Sequence, residues 1–148
     1  MKLDIGGGKK RNDDWKTIDI NKDANIVHNL DEFPWPIKDK SCAEMYSSHT
    51  LEHLKEPLQA MEEAYRIAKH GAIFHIKIPW WKYDLFSSPE HRHLFRPEWF
   101  HKLEISAWSE SMKHLCKVNW IVIRENKIRG KRNKFKIYEF EVWLRADK

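Results

Sequence analysis

Cysteine is nearly absent: the 148 residues hold two, Cys42 and Cys116, far apart and in no C-x-x-C pattern. That excludes a disulfide framework and a cysteine-built metal centre. Glycine is scarce as well, with five in all, yet Gly6, Gly7 and Gly8 are consecutive. One short stretch of backbone therefore has a freedom that the rest of the chain does not need. No apolar run comes near the roughly 18 residues that span a bilayer, so no membrane helix is expected. The chain has no internal repeat and no low-complexity linker. Met1 is followed almost at once by the strand-like Lys2-Leu3-Asp4-Ile5, which leaves no room for a secretory signal. A reducing, cytoplasmic compartment is the expectation.

What is present suits one domain over residues 1–148 with a core of its own. Hydrophobic residues make up 41% and charged residues 33%, as in ordinary globular proteins. Aromatics reach 13% with eight Trp, enough to pack a core or to wall a cleft. The net charge is +5 and the pI about 9.1. Much of the excess sits in Lys127, Arg129, Lys131, Arg132, Lys134 and Lys136. This basic stretch could contact the phosphates of a nucleic acid, although a solvated turn is the simpler reading.

Strand-like segments are Lys2–Ile5, Trp15–Ile20, Asn25–Asn29, Cys42–Ser47 and Ala72–Ile78. The two prolines of Phe33-Pro34-Trp35-Pro36 require an irregular loop. A helix is expected from Pro57, with Leu58, Met61, Tyr65 and Ala68 on one face and Gly71 as its stop. Trp80 to Arg96 reads as a polar-aromatic loop, and Pro97 opens a short helix through about Leu103. Two strands close the chain, about Val118–Arg124 and Phe135–Leu144, with the basic stretch as their turn. The fold class is α/β, a mostly parallel sheet with a C-terminal antiparallel hairpin. Parallel strands usually need a crossover of a dozen residues, yet about nine and five join the first three strands. One sheet face then lacks its helices and needs side chains, a second subunit or another protein to close it.

Chemistry gathers at strand ends. In Leu3-Asp4-Ile5-Gly6-Gly7-Gly8, glycines directly after a strand let backbone approach a ligand. Asp19, at the end of the second strand, can accept hydrogen bonds from both hydroxyls of a ribose. A third segment, Tyr46-Ser47-Ser48-His49-Thr50-Leu51-Glu52-His53-Leu54, follows the fourth strand.

With these residues the chain resembles the class I S-adenosylmethionine-dependent methyltransferases, in particular the small methyltransferase-domain group. Four segments match in order: LDIGGG, TIDI, SSHTLEHL and RIAKHGAIFHIKIP, and SPEHRHLFRPEWF resembles a loop-to-helix stretch of that group. The resemblance implies a reduced Rossmann-like fold, S-adenosyl-L-methionine as cofactor, and methyl transfer to an unidentified acceptor. It places Asp4, Gly6, Gly7 and Gly8 along the methionine portion and ribose, and Asp19 on the ribose hydroxyls. Asn29, Leu30 and Asp31 would border the adenine, while Ser47, Ser48 and His49 would face the sulfonium and the acceptor. His49 is the candidate base, with His91 and His93 as rivals, since imidazole titrates near neutral pH. Trp80, Trp81, Lys82 and Tyr83, with Trp99 and Phe100, could wall the acceptor pocket.

Two departures stand out. Lys10 occupies the place of the family's third glycine, and no helix follows the glycine turn. A non-catalytic module that binds a partner protein or nucleic acid is the alternative. His49-Thr50-Leu51-Glu52-His53 also fits the H-x-x-E-H metal pattern, but it lies close to Pro57 and not on a long helix. No metal is assigned.

Overall fold

The computed structural model describes residues 1–10, 14–80, 88–132 and 135–148. These build one seven-stranded sheet in the order β3-β2-β1-β4-β5-β7-β6. Its strands are β1 (Lys2–Ile5), β2 (Trp15–Asp19), β3 (Ile26–Val27), β4 (Cys42–Ser48), β5 (Ala68–Pro79), β6 (Trp120–Arg132) and β7 (Phe135–Ala146). The first five run parallel, and β7 and β6 follow antiparallel. The chain moves outward from β1 to β3 and then returns to place β4 on the other side of β1. That reversal opens a crevice at the carboxyl ends of β1 and β4, where open α/β sheets bind ligands.

Helix α1 (Pro57–Ile67) covers one face, and the short α2 (Pro97–His101) extends that cover. Proline suits the first turn of each, where its missing N–H is not needed. The α1 residues that bury are Pro57, Ala60, Met61, Ala64 and Ile67. Leu58, expected on the apolar face, is half exposed at 51%. The small Ala60 and Ala64 bury instead, and Trp120 Nε1 donates to the Met61 carbonyl at 3.2 Å. On the strands, alternate residues Ala72, Phe74, Ile76 and Ile78, with Phe140, Val142 and Leu144, point into this core.

Gly71 does not stop the helix. The helix ends at Ile67, and Ala68 already pairs with Cys42 before the register jumps to Glu44 opposite Ile73. Lys69 to Ala72 therefore form a bulge, and Gly71, at a φ of 76°, supplies the left-handed residue it needs. The basic stretch is also not a turn. Pairing of β6 with β7 continues to Arg132 opposite Phe135, so Lys127, Arg129, Lys131 and Arg132 stand within an edge strand. Long cations suit such an edge because they deter pairing with other chains. Lys134 lies outside the described residues.

Among the described residues, the short connections leave the second face without helices, as the spacing predicts. No helix lies between β1 and β2 or between β2 and β3 among the described residues. On this face Trp15, Tyr46, Ile73, His75 and Trp143 are only half buried. His75 stacks on Trp143 with ring centroids 4.1 Å apart, and Arg124 lies over the same indole at 4.6 Å. Among the described residues no helix is long and apolar enough to cross a membrane.

Candidate functional site

Four strand ends meet at one rim of the sheet. Gly6 follows β1, Asp19 ends β2, Asn29 and Leu30 follow β3, and His49 and Thr50 follow β4. All six line a pocket of about 240 Å³, joined by Ile20, His53 and Leu54. The larger cavity, about 620 Å³, lies instead on the bare face against Tyr46, His75 and Trp143, away from the glycine turn.

The glycine turn is shaped by its neighbours. Gly6 has a φ of 75°, and a Cβ there would stand 2.1 Å from Thr50 Oγ1. Only glycine satisfies both the left-handed backbone and this close approach. Thr50 Oγ1 in turn donates to the carbonyl of Ile5 at 3.3 Å, tying the β4 loop to the end of β1. A Cβ at Gly7 would meet the Asp4 carboxylate at 2.6 Å. Asp4 is buried and braces the turn from beneath, outside the pocket lining. Gly8, at a φ of 69°, has open space where its Cβ would be and donates its N–H to Asp19 Oδ2 at 2.9 Å.

Asp19 also accepts the Asn21 N–H on Oδ1 at 2.8 Å. These two bonds aim the carboxylate along the rim. A carboxylate offers about four lone-pair sites, so acceptor capacity remains for a diol. Asp31 serves the loops instead, since its Oδ1 accepts the Lys55 N–H at 2.8 Å and so holds the loop after β3 to the chain before α1. Ser47 lies within β4, is 1% exposed, and its Oγ has no hydrogen-bond partner among the described residues. Ser48 is half buried beside it in β4 and does not line the pocket.

His49 has a φ of 52°, a strained position for a residue with a Cβ. Its Nδ1 lies 3.2 Å from Glu52 Oε1 and its Nε2 2.9 Å from Glu139 Oε1. The Glu52 carboxylate raises the His49 pKa above its ordinary value; burial opposes this, and Glu139 adds to the rise. Donation from both nitrogens to carboxylates suits the protonated ring. The H-x-x-E-H pair does not assemble, because His49 precedes the short 3₁₀ turn Leu51–His53 and spends both nitrogens on carboxylates. His91 is brought against His53, ring centroids 4.7 Å apart, while His93 Nε2 donates to the Lys55 carbonyl at 3.2 Å. Neither lines the pocket. Trp99 and Phe100 pack with Phe95 in the core, and Trp81, Lys82 and Tyr83 lie outside the described residues.

Residues 3–76 match the family model of a methyltransferase domain, half of the chain. The chain belongs to that family. Its fold is found in solved structures at low identity. A methyltransferase from Methanosarcina mazei is 14% identical with a TM-score of 0.66, covering 99% of this chain and 92% of that one. One from Archaeoglobus fulgidus is 18% identical with a TM-score of 0.65, covering 98% and 85%. A chain in a complex that contains the Haloferax volcanii Trm112 methyltransferase activator is 12% identical with a TM-score of 0.67, covering 99% and 82%. No curated protein matches the sequence.

The cofactor of this methyltransferase domain is S-adenosylmethionine, and the residues present fit it. A bare-backbone bend at Gly6 and an oriented carboxylate at Asp19 meet on one pocket, and Gly8, bonded to that carboxylate, leaves open space where a Cβ would stand. Of the residues matched to cofactor roles, Gly6, Asp19, Asn29 and Leu30 converge there, and His49 lines the same pocket. Sequence reasoning passed over Thr50, His53 and Leu54 as pocket walls. Thr50 carried a signal, since a small β-branched residue after a strand can seat against a glycine turn.

Proposed function

We propose that this methyltransferase domain transfers the methyl group of S-adenosylmethionine directly to an acceptor that enters over the His49–His53 side of the pocket. The observation that carries this reading is the convergence of Gly6 and Asp19 on one pocket at the switch point of the sheet. The cofactor when bound supplies an activated methyl on a sulfonium, so the protein's work is binding and alignment. Asp19 would receive the ribose hydroxyls, Gly6 would give the backbone its close approach, and Asn29 and Leu30 would border the base. Asp4, Gly7 and Gly8 would hold the turn in shape; Asp31, Ser47 and Ser48 would support the strand ends. His49, held by two carboxylates, would wall the acceptor side of the pocket. To donate to an acceptor it must first release one of its carboxylates, and to take a proton from a hydroxyl or amine the ring must also have lost its own proton.

Calorimetric titration with S-adenosylhomocysteine tests the reading. Saturable binding that Asp19→Ala weakens supports it, and no heat at millimolar ligand contradicts it. The bare face has a consequence for assembly. It carries opposed charge pairs, Lys77 with Glu139 at 2.7 Å and Lys2 with Glu44 at 3.6 Å, around the Tyr46–His75–Trp143 groove. Because these charges offset one another within the chain, an identical face brings no strong like-charge repulsion from them, and a second copy of this chain across a two-fold axis is the occupant we assign to the aromatic groove.

A further inference from the structure

We infer that Glu52, His53 and His91 form a binding site for a zinc-class divalent cation on the rim of the cofactor pocket. One carboxylate oxygen of Glu52 and one ring nitrogen from each histidine lie within 4.8 Å of one another. The three come from separate parts of the chain, the turn Leu51–His53 and the loop before α2. Their juxtaposition is built by the backbone. The N–H groups of Arg92 and His93 both donate to the Glu52 carbonyl, at 2.7 and 3.2 Å. This clamp sets the loop that carries His91 directly on the turn that carries Glu52 and His53.

An independent observation points to a ligand. Glu52 is 0% exposed, and its Oε2 is buried with no hydrogen-bond partner among the described residues. A buried carboxylate oxygen without a partner is costly, and such groups are normally paired or coordinate metals. Oε1 is accounted for by His49 Nδ1. His53 is prepared in the manner of a metal ligand: its Nδ1 donates to the Glu90 carbonyl at 3.3 Å, which fixes the tautomer and leaves the Nε2 lone pair available. Two imidazoles and one carboxylate are a donor set for zinc and its first-row neighbours rather than for magnesium or calcium. Three protein ligands leave a fourth position of a tetrahedron open. His53 also lines the cofactor pocket, so an ion held here stands where an acceptor enters. It would bind an oxygen, nitrogen or sulfur acceptor and ease loss of that acceptor's proton. In this role the site deepens the methyl-transfer reading, while the ion site itself stands apart from it.

The test uses the full chain, stripped with a chelator and titrated with zinc chloride in a calorimeter, and with cobalt chloride followed by visible absorption. The expected result is one saturable equivalent with tetrahedral cobalt bands. His53→Ala and His91→Ala should each weaken binding by more than the about 10–100-fold that loss of an outer-shell partner costs. His101→Ala is the control, since it removes a different His–Glu pair (His101 with Glu125). His91 lies on a loop, so its variant should keep the wild-type melting temperature in metal-free buffer. Absence of saturable zinc binding, or binding equal in wild type, His53→Ala and His91→Ala, overturns the site. S-adenosylhomocysteine is titrated into the same stripped protein. Retained nucleoside binding without zinc binding sinks the ion site alone, and the converse sinks the cofactor reading alone.

Discussion

Gly6 and Asp19 carry the account at the level of single residues, and each makes a separable prediction. Gly6 is the residue against which Thr50 packs at a distance no Cβ tolerates. Gly6→Ala should destabilise the fold by about 1–3 kcal/mol through left-handed strain and overpacking, read by urea denaturation. An unchanged midpoint would mean that the turn and Thr50 relax freely. Asp19 acts on ligand more than on fold. Asp19→Ala should weaken S-adenosylhomocysteine binding by about 1–3 kcal/mol, through lost charge-assisted hydrogen bonds to the ribose. It also frees the Gly8 and Asn21 N–H groups, which are rim positions where water can replace the carboxylate. Equal affinity in variant and wild type would remove the carboxylate from the site.

Among the elements, α1 is lashed to the proline loop by one charged pair. Arg66 donates to both Glu63 oxygens, at 2.9 and 2.7 Å, and to the carbonyls of Trp35 and Ile37. Glu63 accepts the Trp35 N–H at 2.8 Å in return. Burial pushes the Glu63 carboxyl up, but Arg66 and that N–H outweigh it and hold the group below its ordinary value. A depressed carboxylate stabilises the fold above its unfolded pKa of about 4.3, and the gain is lost as pH falls through the folded value. Glu63→Gln should therefore cost about 1–3 kcal/mol at neutral pH. The gap to wild type should close below about pH 4 in denaturation curves recorded across pH. A gap that stays constant at low pH would refute the pairing.

Elements also mark what could be read in advance. The strand segments of β1, β2 and β4 and the proline at the head of α1 are local signals, and the structure has them at those places. The face of α1 was not legible, because Leu58 and Ala60 compete for one stripe and only the folded packing, which buries Ala60 and leaves Leu58 half exposed, decides between them. The length of β6 was hidden by its cations, which read as a turn until the edge position of the strand gives them a reason. At the pocket, Gly6 and Asp19 were legible because strand ends are where backbone freedom and carboxylates are useful, while Asn29 and Leu30 were placed there by the family resemblance alone. The link between Glu52 and His91 was not, since it depends on a loop folding back onto a 3₁₀ turn from 39 residues away.

The molecule as a whole is a methyltransferase-domain sheet with one face left to be covered. A second copy seated on the Tyr46–His75–Trp143 groove predicts a dimer in sedimentation equilibrium. Tyr46→Glu should convert it to a monomer with little change in far-ultraviolet circular dichroism, because Tyr46 is half buried and outside the packed core. A wild-type monomer at high concentration would contradict this, and a stable complex with a different protein on the same face would replace the second copy as occupant.

The convergence of the glycine turn and Asp19 on one adenosyl-binding rim is tested most directly by a crystal structure of the chain with S-adenosylhomocysteine. The account predicts the ribose hydroxyls within hydrogen-bond distance of Asp19, with the thioether against Gly6 and facing His49. Ligand seated in the groove of the bare face, or a rim that stays unbound at saturating ligand, would contradict it.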